Sequence, residues 1–294
     1  MDYFLNLAIG GLLSGAVYAL VGVAFVVVYR ATSVLNFSLG EWASLGARLT
    51  GIGLQVGHLP LVAALLMTLA FVSGLAVAFN RVVIRRLIGR PVVAVIMATL
   101  ALGILMQAGA ALTLRGLPSE IAFPLMDRVW WWGDIQLPPA RILASGTALA
   151  LTAMTMAFFR MSRAGVAIRA ISDDPQAAAV VGIDTTRYIA LAWAISGGLA
   201  VAGGVLWRID GLGGFGMALV LVKVLPVVVI GGLTSFGGAL VGAAIIGLAE
   251  NLAAGYLDPV IGTGSGGAIS AILIIAVLCL RPTGLFGARR VERV

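Results

Sequence analysis

The sequence offers few side chains that could perform covalent chemistry. His58 is the only histidine and Cys279 the only cysteine. A single thiol cannot form an internal disulfide, and one histidine with one cysteine cannot build a zinc site of three or four protein ligands. Neither residue stands in a local motif for a nucleophilic dyad. The residues therefore argue against redox, zinc and intramembrane hydrolytic chemistry, and they direct attention to charged groups in apolar surroundings.

Three polar residues in one apolar neighbourhood, Asn36, Ser38 and Glu41, are candidates for a translocation path or gate. An ionisable group at membrane depth is costly, so a functional role is the default hypothesis for Glu41. The alternative is a packing role near the end of the second apolar run, with Glu41 pairing with Arg30 or capping a helix. The residue types leave both interpretations open.

The only lysine, Lys223, and the acidic residue Glu250 stand in two further apolar runs. Lys223 lies close enough to the outer end of its run for its aliphatic stem to extend and place the amino group at the membrane surface. The alternative is a cation that faces a transport pathway or an outward gate and meets a substrate carboxylate. Glu250 lies toward the outer end of the next run, where it can pair with Lys223.

A charged interruption over residues 160–187 stands out in a chain that otherwise consists of apolar runs. Within it Asp174 can cap a helix, Pro175 suits the first helical position, and Gly182 suits the left-handed residue after the end. These signals predict a short helix over about residues 175–181, with small apolar side chains that another protein could approach closely. The candidate contacts to that partner are Arg169, Asp173, Asp174, Ala177, Ala178 and Gly182.

The composition identifies an integral membrane protein. Of the 294 residues, 61% are hydrophobic and 11% charged, and the mean hydropathy is +1.10, whereas about a quarter of residues are charged in soluble domains. Long apolar runs, which exclude barrel-type alternation, fall near residues 4–29, 34–53, 61–80, 92–114, 141–159, 188–207, 217–232, 237–255 and 266–280. We therefore predict an all-α, polytopic helical bundle with eight or nine transmembrane segments, formed as a single membrane domain over residues 1–294.

Charged residues between the runs predict the orientation of the bundle. Arginines crowd the loops near 81–90 and 160–187 and the tail over 281–293, which the positive-inside rule assigns to the cytoplasm. The alternate loops hold acidic residues and an interfacial tryptophan belt, namely Glu120, Asp127, Asp134, Asp210, Asp258 and Trp130 to Trp132. With nine crossings the N-terminus lies outside and the C-terminus in the cytoplasm. Because the net charge of +7 comes with these membrane-flanking arginines, we expect no nucleic-acid partner.

Glycines interrupt the apolar pattern between Gly231 and Gly242. Non-helical backbone at membrane depth is tolerated only where protein or water covers it. This segment is therefore either a packing motif or a re-entrant or broken helix that lines the route of a solute. Gly231 and Gly232 join the candidate path residues on this ground.

The sequence contains no P-loop motif. A P-loop has the pattern GxxxxGK[ST], in which the lysine reaches the nucleotide phosphates. The only lysine, Lys223, lies between Val222 and Val224. If ATP drives the protein, another subunit binds it, and we expect neither a cofactor nor enzymatic activity in this chain.

Four stretches resemble the permease subunits of bacterial ATP-binding cassette importers for branched-chain amino acids, in particular the H-type subunit of the high-affinity system. They are residues 11–47 with the core Asn36-Phe37…Gly40-Glu41, residues 177–184, residues 224–250 and residues 280–287. The chain departs from the family pattern at Ser38 and Leu39, where Ala-His is common, and at Trp42, where Phe or Tyr is usual. Relatives carry urea, short amides, polar amino acids or aromatic acids, so these departures leave the substrate open.

The resemblance implies a multi-pass permease of the bacterial inner membrane that works with a second permease, two cytoplasmic ATPases that use ATP and Mg²⁺, and a periplasmic binding protein. Residues 160–187 are then the coupling loop that docks on the ATPases. The implied substrate is a branched-chain or other amino acid, or a related small amide or carboxylate. The competing hypothesis is a self-contained channel or ion-coupled carrier for a small solute, for which a buried carboxylate relay or inverted repeats are expected.

Overall fold

The structure is a computed structural model that describes residues 1–87, 90–121, 129–133, 135–211 and 217–287. Several charges used above to predict the orientation, Asp127, Asp134, Arg289, Arg290 and Arg293, lie outside the described residues.

The described chain is almost entirely helical. Its helices are α1 (Asp2–Thr32), α2 (Leu39–Gln55), α3 (Leu61–Phe79), α4 (Arg85–Leu87), α5 (Val92–Thr113), α6 (Pro139–Met161), α7 (Arg163–Asp173), α8 (Pro175–Val180), α9 (Thr185–Ile209), α10 (Met217–Gly231), α11 (Phe236–Tyr256), α12 (Asp258–Ile261) and α13 (Ser265–Leu280). A π-helical turn, Asn80–Ile84, continues α3 into α4. One small antiparallel hairpin, β1 (Trp130–Trp132) with β2 (Ile135–Leu137), is the exception to the all-α prediction.

Helix lengths agree with a protein that crosses a membrane several times. Six helical segments among the described residues are long and apolar enough to span, namely Asp2–Thr32, Leu61–Leu87, Val92–Thr113, Pro139–Met161, Thr185–Ile209 and Phe236–Tyr256. The helices α2, α10 and α13 are shorter, with 17, 15 and 16 residues, whereas a full span takes about 20. Each of the nine predicted apolar runs corresponds to one of these nine helices. The polytopic helical bundle expected from the sequence is confirmed.

Helix α1 is the central element. It is buried on all faces from Gly10 to Val28, apart from Leu12 and Leu13, and it packs against α6, α9, α10 and α11. A helix that is apolar all round is expected in such a position. The peripheral helices α3 and α5 instead expose large apolar side chains, including Phe71, Leu105 and Leu112. These outer faces suit contact with lipid.

The two ends of the bundle are marked by charged contacts. At one end, here called the Asp210 end, Arg141 of α6 meets Asp210 after the last residue of α9. At the other, the Arg30 end, the guanidinium of Arg30 in α1 lies 5.2 Å from the ring centroid of Phe236 at the start of α11. Helices α1 and α6 therefore run toward the Arg30 end, and α9 and α11 run away from it. Helix α10 also runs toward the Arg30 end, because it ends at Gly231, close before the start of α11 at Phe236.

Polar caps start the helices at the Arg30 end. The Ser162 hydroxyl accepts a hydrogen bond from the Gly165 N–H, and the Ser235 hydroxyl accepts one from the Gly238 N–H, both at 2.9 Å. Each side chain replaces a carbonyl that the first helical turn lacks. These bonds fix where α7 and α11 begin.

Glycine allows the backbones of α1 and α11 to touch. A Cβ on Gly247 would lie 2.3 Å from the Gly11 carbonyl oxygen, and a Cβ on Gly11 would lie 2.6 Å from the Gly247 carbonyl oxygen. Both distances are far below van der Waals contact. Membrane helices that associate closely use small residues in this way, since no large side chain fits between the backbones.

A matched pair of substitutions tests this contact. We expect Gly247→Ala to lower the free energy of unfolding by about 1 to 3 kcal/mol, because the added methyl group overpacks the α1–α11 crossing. Gly146 in α6 is the control, since a Cβ there meets nothing within 4 Å. Gly146→Ala should be neutral or slightly stabilising, because alanine is the better helix former. Thermal unfolding of both variants in detergent is the measurement, and equal midpoints would contradict the crossing.

Candidate functional site

An ion pair between a partly exposed lysine and a buried glutamate joins α10 to α11. The Lys223 amino group lies 3.2 Å from Glu250 Oε2, and the side chains are 29% and 5% exposed. The pairing of these two residues, one of the alternatives that the sequence left open, is present in the structure. Because Lys223 directs its amino group at Glu250, extension toward the membrane surface does not describe its conformation in this structure.

Other helices complete the surroundings of this ion pair. Tyr18 of α1 donates its hydroxyl hydrogen to Glu250 Oε2 at 3.1 Å and accepts a hydrogen bond from Lys223 at 3.2 Å. Ser270 of α13 donates to Glu250 Oε1 at 2.8 Å. The Trp207 ring of α9 stacks on the Tyr18 ring with 5.2 Å between centroids. We call Tyr18, Lys223, Glu250 and Ser270 the central cluster.

The central cluster lies inside the bundle, about one helical turn from the Asp210 end. Tyr18 is 1% and Glu250 4% exposed, and Glu250 lies six residues, about 9 Å, before the end of α11 at Tyr256. An unpaired charge at such a depth is strongly disfavoured, whereas a pair with further hydrogen bonds is tolerated. The carboxylate of Glu250 has partners on both oxygens, so the cluster meets this condition. What it offers chemically is a cation and a carboxylate side by side on different helices.

A second ion pair, which the sequence reading did not predict, lies at the Asp210 end. Arg141 Nε lies 3.0 Å from Asp210 Oδ1, and its Nη2 donates to the Gly10 carbonyl at 3.0 Å and to the Ser14 hydroxyl. The Asp210 side chain is fully buried. One signal could have found this pair, since an arginine at the outer end of an apolar run is unusual under the positive-inside rule. The pair ties α1, α6 and α9 together.

Asn36 and Ser38 form a compact polar turn between α1 and α2. Asn36 Oδ1 accepts hydrogen bonds from the Ser38 N–H at 3.1 Å and from the Ser38 hydroxyl at 2.6 Å. The Trp42 indole N–H then donates to the Ser38 hydroxyl at 2.8 Å. Two of the departures from the family pattern, Ser38 and Trp42, are thus direct partners. Nearby Glu41 is 4% exposed in the first turn of α2.

The glycine-rich segment turns the chain at the Arg30 end. Helix α10 ends at Gly231, Gly232 has φ +103°, and α11 begins at Phe236. The Leu285 and Phe286 N–H groups donate to the carbonyls of Ile230 and Gly231, which covers the open end of α10. The predicted break is present, but it forms the turn of a helical hairpin at one end of the bundle and does not lie at mid-depth.

The predicted short helix over residues 175–181 is present as α8, Pro175–Val180. Asp174 Oδ1 accepts hydrogen bonds from the Gln176 and Ala177 N–H groups at 2.8 and 3.0 Å, and Gly182 has φ +89°. The helix cap at Asp174 and the left-handed conformation at Gly182 are therefore present, as the sequence predicted.

The structure changes which residues of α8 can meet a partner. Ala178 is 4% exposed and packs inside the chain, so it cannot touch a partner in this conformation. The apolar surface is provided by Val180 and Val181, which are 87% and 81% exposed. Two of the other candidates lie at the Arg30 end. Arg169 donates a hydrogen bond to the Phe159 carbonyl near the end of α6, and Asp173 lines a cavity together with Arg30.

The fold and the central cluster define a polytopic, all-helical membrane protein with charged groups inside its bundle, a class typical of transport proteins. Residues 7–280 match the family described as branched-chain amino acid transport system permease components. The chain belongs to this family, as the resemblance of its motifs indicated, and it is a transmembrane permease component.

Curated relatives align over nearly their whole length. The chain is 30% identical to the high-affinity branched-chain amino acid transport system permease protein LivH of Escherichia coli K12, over 99% of this chain and 98% of the relative. It is 27% identical to the permease protein BraD of Pseudomonas aeruginosa over the same shares. The solved structure of PsaBC from Streptococcus pneumoniae with a Fab matches 97% of this chain and 94% of its own, with a TM-score of 0.50 and 14% identity. This last likeness shows the fold alone.

A double-mutant cycle tests the central cluster. Glu250→Gln and Lys223→Met should each lower the free energy of unfolding by about 3 kcal/mol, because each leaves one buried charge without its counter-charge. The double variant should lose clearly less than the sum of the two. The measurement is reversible denaturant unfolding in detergent micelles.

The exposed pair of Arg187 with Asp184, at 2.9 Å, supplies the control for this cycle. Its coupling energy should stay below about 1 kcal/mol, because water screens both groups. Strict additivity at Lys223 and Glu250 would show that the central pair does not act as a unit.

Proposed function

We propose that the chain is the translocating subunit of an ATP-binding cassette importer for branched-chain amino acids or a closely related amino acid. The observation that carries this proposal is the family match over residues 7–280, together with the full-length likeness to permeases named for branched-chain amino acid transport. The other subunits are a second permease, two cytoplasmic ATPases that use ATP and Mg²⁺, and a periplasmic binding protein.

The central cluster is proposed as a closed gate on the translocation path. An amino acid is a zwitterion, and Lys223 with Glu250 presents one cation and one carboxylate 3.2 Å apart. A passing substrate can exchange partners with this pair, its carboxylate meeting Lys223 and its ammonium meeting Glu250, without leaving either charge unpaired. Asn36, Ser38 and Glu41 then shape the neighbouring part of the path, and Gly231 and Gly232 form its turn at the Arg30 end.

We propose nine crossings, with the N-terminus periplasmic and the C-terminus cytoplasmic. The antiparallel order of α1, α9, α10 and α11 supports this count, as does the collection of arginines at the Arg30 end. Short helices such as α10 can cross where neighbouring helices cover their ends. The Arg30 end is then cytoplasmic, which puts α7 and α8 within reach of the ATPases.

Co-purification tests the assembly. The chain, solubilised mildly from its native membrane, should retain P-loop ATPases and a second permease. Uptake by proteoliposomes of the whole complex should require ATP and the binding protein. If the chain purifies alone and carries solute down an ion gradient without ATP, the ion-coupled carrier is the correct function.

Substitution on the exposed face of α8 tests its role in coupling. Val180→Asp should lower ATP-driven uptake by roughly tenfold, because a charge replaces apolar surface at the proposed ATPase contact. Val260→Asp at the opposite end is the control, since Val260 is 81% exposed. Both variants should keep the unfolding temperature of the parent chain. Equal uptake by the two variants would show that α8 is not part of the coupling interface.

A further inference from the structure

Three arginines surround a cavity of about 660 Å³ at the Arg30 end. Arg30 comes from α1, Arg160 from the last turn of α6, and Arg169 from α7. The ion pairs that the structure describes involve Arg141, Arg187 and Lys223, and none involves these three arginines. The cavity therefore carries an excess of positive charge that the described side chains do not neutralise.

Two of the three arginines, Arg30 and Arg169, are held in place by contacts other than ion pairs. The guanidinium of Arg30 lies over the Phe236 ring, and Arg169 donates to the carbonyl of Phe159. A neighbouring cavity of about 830 Å³ shares Arg30 and Phe236 and adds one carboxylate, Asp173. Three cations against one acid leave a net positive site. Held guanidinium groups with free N–H donors suit a phosphate group, which they can bind in a bidentate way.

The remaining wall of the cavity is apolar and continues into a membrane-spanning helix. Phe159 and Met156 of α6 line it together with Phe236 of α11. Met156 lies about 8 Å before the end of α6, at 1.5 Å per residue. The cavity thus joins a cationic rim at the end of the bundle to an apolar surface at membrane depth. A ligand that fills both parts has an anionic head and a hydrocarbon tail.

We propose that this cavity binds an anionic phospholipid, with the phosphate against Arg30, Arg160 and Arg169 and an acyl chain along Met156 and Ala157. Basic pockets between spanning helices are a known way of recognising anionic head groups. An acidic segment of another protein could meet the rim but not the apolar wall, which lies on α6 inside the span. The proposal does not depend on which solute the permease carries.

Bound lipid would join three helices at the base of the coupling segment. Arg30, Arg160 and Arg169 lie on α1, α6 and α7, and α7 leads directly into α8. A phosphate between them removes the mutual repulsion of the guanidinium groups. We therefore expect anionic lipid to raise the unfolding temperature of the purified chain, whereas the zwitterionic lipid phosphatidylcholine does not.

The test uses the full chain in detergent, titrated with phosphatidylglycerol, with phosphatidylcholine and with inorganic phosphate. Native mass spectrometry counts retained lipids, and thermal unfolding reports stabilisation. Phosphatidylglycerol should bind and stabilise selectively. Arg160→Gln should weaken its binding roughly fivefold, and Arg30→Gln with Arg160→Gln by about the square of that factor. Arg160 is exposed, so its single replacement should not prevent folding.

Arg81→Gln is the matched control, because Arg81 is exposed and does not line the cavity. It should leave phosphatidylglycerol binding unchanged. Equal losses in the control and in Arg160→Gln, or equal binding of the two lipids, would overturn the proposal. Equal stabilisation by inorganic phosphate would show a site for a free anion instead. Loss of bound lipid on adding the ATPase subunits would assign the cavity to the protein interface.

Discussion

The backbone contact between α1 and α11 sets the position of the central cluster in the bundle. Because Gly11 and Gly247 let the two antiparallel helices touch, the Tyr18 side chain of α1 comes within hydrogen-bonding distance of Glu250 on α11. The α10–α11 hairpin then brings Lys223 to the same carboxylate. A larger residue at the crossing would separate these groups by more than a hydrogen bond spans. Packing and charge placement therefore depend on the same small residues.

Much of the fold was predictable from the sequence because lipid imposes a simple rule. In lipid no water is present to bind the backbone N–H and C=O groups, so an apolar run must form a helix. Each of the nine apolar runs in the sequence accordingly corresponds to a helix. The helix at Pro175 was predictable because its cap, its proline and its glycine are local signals. The hairpin at Trp130–Trp132 was missed, since it is set by pairing across a turn and by the bond from the Gln136 N–H to the Asn6 side chain.

The candidate site was only partly predictable, for a physical reason. Lys223 and Glu250 are rare ionisable residues in apolar runs, and charges in lipid need partners, so their pairing could be inferred. Tyr18 gave no signal, because nothing local in the sequence indicates which group its hydroxyl binds and its partner lies 232 residues away. Arg141 stood out only as an arginine at the outer end of an apolar run, and Asp210 resembled an ordinary charge beside a span. Only the tertiary arrangement of α6 and α9 shows that they bind each other.

The two ends of the bundle use arginine in opposite ways. At the Asp210 end the guanidinium N–H groups of Arg141 bind Asp210, Gly10 and Ser14. These bonds hold three helices together and leave few N–H donors for a ligand. At the Arg30 end the guanidinium groups of Arg30 and Arg169 contact an aromatic ring and a carbonyl and keep further N–H donors for a ligand. Charge that is already paired serves stability, whereas positioned but unpaired charge attracts a partner. The asymmetry therefore favours binding of anionic groups at the Arg30 end, where α7 and α8 also lie.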